Sequence, residues 1–225
     1  MSGAAAPLET ACWTVLAPIA SGGSVLWVGP AHGDQIARLS LIFGEVSTVN
    51  PMDALSLPES WAGLAVPEAS VDLAVLPGVL ADVKRWAPGA RPRQAWESLL
   101  RAVHTRLKPG GHVFWAAENR WAFPRASGTG AGRRPVLVSV GGCRALLAKS
   151  GFSAIRMWCA FPDCEDPKFL VECRQPVFDY FLRVLAPRPR SAERRLVRGA
   201  LNAVGVLKYT ARWYWILGRR SAPSG

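Results

Sequence analysis

Apolar residues along this chain fall into two alternating rhythms. Val25–Val28 is a short unbroken apolar run between the turn formers Ser21–Ser24 and the pair Gly29-Pro30, which predicts a strand buried on both faces. Ile36, Leu39, Ile42 and Phe43 then recur at helical spacing from Gln35 onward, and Val46–Val49 predicts a second strand ending at Asn50-Pro51. The pattern repeats. Val71–Leu76 reads as a third strand, Trp96, Leu99, Leu100, Val103 and Leu107 stripe a helix that stops at Lys108-Pro109-Gly110-Gly111, and Val113–Ala117 reads as a fourth strand. A Gly-rich, basic loop over 125–135 precedes a helix at 141–150, closed by Gly151, and a strand at 154–159. Strands alternating with helices predict an α/β fold whose mainly parallel sheet carries helices on both faces.

The last third changes character. Prolines recur from 162 to 189 around an amphipathic segment at 178–185, and a helix is predicted at 191–207. Its Leu196, Ala200, Ala203, Val204 and Leu207 lie near one face, which we expect to pack on the core and leave the arginines outward. Trp213–Leu217 then reads as a closing strand. The expected organisation is one domain over 1–225, with an insertion or lid at 162–208, a closing strand within 209–220 and a disordered tail at 221–225.

Composition sharpens this picture. Half of the 225 residues are hydrophobic, which excludes a disordered chain, and the formal net charge is +11. Most of the excess lies between Arg183 and Arg220, where ten basic side chains face Glu193 alone. Three readings suit that segment: peripheral contact with an anionic membrane, helped by Trp213, Tyr214 and Trp215; phosphate contacts to nucleic acid; or a solvated basic helix face. The uncharged stretch between Glu9 and Asp34 is broken by Pro18 and Gly22-Gly23, so no membrane span is expected there. The five cysteines (Cys12, Cys143, Cys159, Cys164, Cys173) are odd in number and lack C-x-x-C spacing, which predicts free thiols in a reducing compartment. The start MSGAAAPLET lacks a basic leader, so a cytoplasmic protein is expected. His32, His104 and His112 do not cluster in sequence, and no metal site is expected.

Four segments in order then carry a resemblance: VLWVGPAHGD (25–34), VSTVNPMD (46–53), LAVPEASVDLAVLPGVL (64–80) and LLRAVHTRLKPGGHVFWAAENRW (99–121). Together they resemble the class I S-adenosylmethionine-dependent methyltransferases, the helix ending in LKPGG before an apolar strand being the most specific mark. The ENR that follows, the later SGF, FPD (161–163) and PKFLV (167–171) resemble a bacterial subgroup associated with sugar or envelope chemistry. The resemblance spans roughly residues 20–220. It implies a seven-stranded Rossmann-like sheet with an antiparallel last strand, and S-adenosylmethionine as cofactor. Methyl transfer would go to a small-molecule, sugar or lipid-linked acceptor.

Residue by residue, the resemblance places the cofactor against Gly29, Ala31, Gly33, Asn50, Met52 and Trp61. Gly29 and Gly33 match the outer glycines of the G-x-G-x-G loop, with Ala31 at the middle one. The family's acids fall on Trp27, Asn50 and Ser60, and Asn50 keeps only a neutral acceptor for a ribose hydroxyl. These departures favour, as the alternative, a catalytically inactive methyltransferase-like binding protein; a basic membrane- or RNA-binding module is the third class. His32 in the loop and Glu118 at a strand's end are candidate proton acceptors, with Asn119, Arg120 and Trp121 as candidate substrate contacts. Glu118 and Arg120 could equally serve as an ion pair at the sheet edge, and Asp82 is a weaker acid candidate. The Asn-Pro-Pro-aromatic signature of amino-directed nucleic-acid methyltransferases is absent, the strand end reading VLPGVL, which argues against a nucleic-acid substrate.

Overall fold

A computed structural model of the chain describes residues 16–20, 22–30, 33–51, 66–77, 83–119, 139–161, 167–186 and 191–221. Its elements follow the sequence rhythms closely. They are α1 (Ala17–Ala20), β1 (Ser24–Val28), α2 (Gly33–Ile42), β2 (Glu45–Val49), β3 (Val71–Pro77), α3 (Val83–Trp86), α4 (Pro92–Arg106) and β4 (Leu107–Glu118). Then come α5 (Val140–Lys149), β5 (Phe152–Phe161), β6 (Phe169–Glu172), α6 (Gln175–Tyr180), a π-helical turn (Phe181–Leu185), α7 (Ala192–Ala203), a 3-10 turn (Leu207–Thr210) and β7 (Trp213–Arg220).

The strands form one seven-stranded sheet in the order β2-β1-β3-β4-β7-β5-β6. β1 lies parallel between β2 and β3, and β3 pairs in parallel with β4, as the alternation of strands and helices predicts. β7 inserts antiparallel between β4 and β5, so the expected closing strand is an interior strand of the sheet. β6 adds an antiparallel edge that the apolar pattern alone did not single out as a strand. The sheet is therefore mixed, mainly parallel and Rossmann-like, with the chain reversing its direction of travel across the sheet between β1 and β3.

Alternation along the strands divides the core into two layers. Leu26, Val28, Ala74, Leu76, Val113 and Trp115 face α3, α4 and α5 on one side. Val25, Trp27, Leu73, Val75 and Phe114 join Leu39 of α2, Phe43 just after it, and Leu16 on the other.

The LKPGG segment departs from expectation. It does more than end α4, because β4 already begins at Leu107, and the pairing slips from Val71↔Leu107 to Leu73↔His112. A Cβ at Gly111 would stand 2.9 Å from the Lys108 carbonyl oxygen and 3.1 Å from that of Asp72, so only glycine fits this bulge. Lys108 Nζ reaches Asp72 Oδ2 at 2.9 Å, and the same oxygen accepts from the Ser24 amide and hydroxyl, each at 2.9 Å. Partial burial opposes the Asp72 charge, but these bonds outweigh it and hold the carboxyl below its ordinary value. The amino ends of β1, β3 and β4 are thereby tied at one point.

The second departure is α7. The helix ends at Ala203, and its apolar face points away from the core: Leu196 is 75% exposed and Val204, just beyond its end, 70%. The polar side faces inward instead. Asn202 Nδ2 donates to Asp179 Oδ1 at 2.7 Å, Gln175 Nε2 to the Asn202 carbonyl at 3.0 Å, and Arg198 Nη2 to the Leu182 carbonyl at 3.4 Å. A polar seam to α6 and the π turn, which hydrogen bonds can satisfy, has taken the place of the apolar packing expected from the helical wheel.

Candidate functional site

In an open α/β sheet, ligands bind beyond the carboxyl ends of the strands, at the point where strand order reverses. Here that edge carries Gly29 after β1, Asn50 after β2, Pro77 at the end of β3, Glu118 and Asn119 at the end of β4, and Phe161 at the end of β5. Being antiparallel, β7 brings its beginning, Arg212 and Trp213, to the same edge.

Gly29 sits between β1 and β3 with φ +145°, a conformation that disfavours any side chain. Its amide donates to the Val49 carbonyl at 2.8 Å, which fixes the start of the loop beside the end of β2. Asn50 follows directly and is half-buried. Gly33 opens α2. Of the other expected cofactor residues, Ala31, Met52 and Trp61 lie outside the described residues, as does His32.

Trp27 occupies the position where the resemblance calls for an acid. Its side chain is buried in the α2 layer, and Nε1 donates to the Pro30 carbonyl at 3.2 Å. A carboxylate there would accept hydrogen bonds; the indole donates one, so the loop is tethered through a carbonyl instead.

The end of β4 separates two neighbouring candidates. Glu118 pairs with Arg212, Nε to Oε1 3.1 Å, and the Arg212 guanidinium lies 5.2 Å from the Trp213 ring centre. Asn119 is buried, with Nδ2 donating its two N–H groups to the carbonyls of Tyr209 (2.7 Å) and Ala211 (2.8 Å) and lying 3.2 Å from the Tyr214 hydroxyl. That geometry makes the Asn119 amide a strap between the chain entering β7 and the end of β4. Arg120, Trp121 and Asp82 lie outside the described residues.

Arg212 is the residue that sequence reasoning missed. Its signal was present, since a closing antiparallel strand beginning at Trp213 must bring the preceding residue to the end of its neighbour. Arg212 also lines a cavity of about 530 Å³ between β5, β6, the π turn and α7, whose walls include Phe161, Phe178, Phe181 and Leu207. A largely apolar chamber of that size with a few polar groups suits a small molecule.

No family model and no curated protein sequence matches the chain. Solved structures do. A phosphoethanolamine N-methyltransferase 2 of Haemonchus contortus, solved with phosphomonomethylethanolamine and S-adenosylhomocysteine, superposes with a TM-score of 0.53 over 95% of this chain, at 13% identity. The fold is that of the S-adenosylmethionine-dependent methyltransferases. This chain spans about half (52%) of the length of the Haemonchus protein. A methyltransferase of Archaeoglobus fulgidus matches over 94% of this chain and 92% of its own, with a TM-score of 0.50 and 14% identity.

Within the methyltransferase fold, the residues present fit the cofactor in shape. Gly29 leaves the switch point free of any Cβ, and the position such an atom would take lies 3.6 Å from Pro77 Cγ, in ordinary contact. In charge, Trp27 and Asn50 are neutral at two positions where the resemblance leads one to expect acids.

Among the described residues no group of His, Cys, Asp and Glu could hold a metal ion, and no helix is long and apolar enough to cross a membrane. Cys143, Cys159 and Cys173 are free, with the Sγ atoms of Cys159 and Cys173 3.4 Å apart. Burial pushes the Cys143 thiol up to about 12, which makes it inert.

Proposed function

We propose that this protein transfers a methyl group from S-adenosylmethionine to a small-molecule, sugar or lipid-linked acceptor. The observation that carries this reading is the switch-point crevice, where Gly29 with φ +145° stands beside Asn50 at the ends of adjacent parallel strands in a methyltransferase-type sheet. S-adenosylmethionine, when bound, supplies the electrophilic methyl. Gly29 and Gly33 admit the cofactor close to the backbone, and the Asn50 amide can accept a bond from a ribose hydroxyl. We assign Ala31, Met52 and Trp61 to the cofactor on the resemblance alone, with His32 as a candidate base.

Glu118 is the proposed proton acceptor, held at the sheet edge by Arg212, with Arg120 and Trp121 as acceptor contacts. The cavity lined by Phe161, Phe178, Phe181 and Arg212 offers the acceptor a place beside that carboxylate. We read the region 162–208 as an insertion or lid. We place the protein in the cytoplasm, in keeping with its free thiols, with the basic C-terminal third in peripheral contact with an anionic membrane.

Calorimetry with S-adenosylmethionine and S-adenosylhomocysteine tests the reading. Wild-type protein should bind both, and Gly29→Val should abolish binding while leaving the protein folded by circular dichroism. Wild-type protein that binds neither at millimolar concentration would instead support the inactive, methyltransferase-like alternative.

A further inference from the structure

Among the described residues, nothing covers the outward apolar face of α7. Leu196 is 75% exposed, Val197 51% and Val204 70%, with Val206 exposed beyond them, while the polar positions Arg198 and Asn202 bond inward to the π turn and α6. The neighbouring π turn presents Val184, 60% exposed, and Leu185 to solvent as well. Water does not favour an amphipathic helix laid with its apolar side outward, so something other than water must face it.

Charge selects the occupant. From Arg183 to Arg220 the chain carries ten basic side chains and one acid, and Arg183 and Arg195 are exposed in the same two elements. A second copy of the chain would bring that basic segment against itself. An anionic bilayer offers both an apolar layer for the valines and Leu196 and negative head groups for the arginines. We propose that α7 and the adjoining π turn form a membrane-docking surface that inserts Leu196, Val197 and Val204 into the interface of an anionic bilayer. The inference rests on the peripheral-contact reading above and deepens it by naming the surface and its mode of attachment. The phenylalanine-lined cavity is also lined by Arg198 and Leu207 of the same region.

Co-sedimentation of the full chain with vesicles of phosphatidylcholine alone, and of phosphatidylcholine with about a third phosphatidylglycerol, tests the proposal. We expect binding to the anionic vesicles and at least ten-fold weaker binding to the neutral ones. The variant Leu196→Gln/Val197→Gln/Val204→Gln keeps every charge and alters only exposed positions, and it should lose at least ten-fold in affinity. Unchanged binding by that variant would overturn the insertion while leaving simple electrostatic adsorption. A wild-type chain that stays off anionic vesicles would overturn the docking surface and the peripheral-contact reading together. A wild-type dimer in sedimentation that the variant turns into monomer would assign the face to a second copy and overturn the proposal. Cofactor calorimetry on the same variant keeps the two questions apart, since cofactor binding should match wild type whether or not docking fails.

Discussion

At the scale of single residues, two side chains that a sequence reader would assign to chemistry divide the work. Asn119 satisfies two backbone carbonyls from a buried position, so Asn119→Ala should leave acceptors unpaired and cost about 1–3 kcal/mol in urea unfolding. Any loss of activity in that variant should follow the loss of folded protein. Glu118→Gln should behave in the opposite way. It keeps the shape beside Arg212 but removes the proposed proton acceptor, so turnover should fall by about 10²–10⁴ with cofactor affinity nearly unchanged. Equal turnover in Glu118→Gln and wild type would remove it from the mechanism. Gly111 belongs to the fold: Gly111→Ala drives a Cβ into the Lys108 and Asp72 carbonyl oxygens, and about 1–3 kcal/mol of destabilisation is expected in the same assay.

At the scale of elements, β7 is decisive because it is central in space though last in sequence. It pairs with β4 along His112–Glu118 and with β5 on its other side, and buries Tyr214, Trp215 and Ile216 in both core layers. Deleting Pro187–Gly225 would therefore open the middle of the sheet and expose two apolar strand edges, so the truncated chain should aggregate. A soluble truncation with an unchanged thermal transition would contradict the pairing. The helices α4 and α5 are joined differently, through Glu97. This buried carboxylate accepts from Lys149 Nζ at 2.7 Å and Arg93 Nε at 3.2 Å, and the Lys149 bond leads in holding it below its ordinary value against the cost of burial.

For the whole molecule these groups set the response to acid. Burial, reinforced by Arg220 and Arg219 respectively, lowers His104 and His112 below the ordinary imidazole value of 6.5. In the unfolded chain both return to that value and take up protons the folded state refuses. Stability should thus be full above about pH 6.5 and decline as pH falls below it, through the histidines first. Asp72 and Glu97, both lowered, add a second loss once the pH drops below their ordinary values of 3.8 and 4.5. Urea midpoints measured from pH 8 to about pH 3 should show both declines, and His104→Gln/His112→Gln should flatten the upper one. A midpoint rising between pH 6.5 and 5 would reverse the assignment.

How much of this was legible beforehand follows from the range of the interactions involved. β1, β2 and β3, the helix between β1 and β2 and the parallel pairing follow from patterns read over ten or so residues, because β1 and β3 bury their own apolar runs and α2 its own stripe, while β2, only partly buried, is bounded by its turn formers. LKPGG was the strongest mark, and the structure explains why it reports fold: it builds the tight start of β4 at the amino ends of the strands, away from the switch point. The site was legible only in outline. Gly29 and Glu118 could be placed at strand ends, but the pairing of Glu118 with Arg212, 94 positions on, and the strap from Asn119 depend on β7 entering between β4 and β5. The direction of α7 was beyond the helical wheel altogether. Periodicity establishes that a helix has an apolar side; which side meets the protein was decided by the polar seam that Asp179, Gln175 and the Leu182 carbonyl offered to Asn202 and Arg198, groups that come together only when the chain is folded.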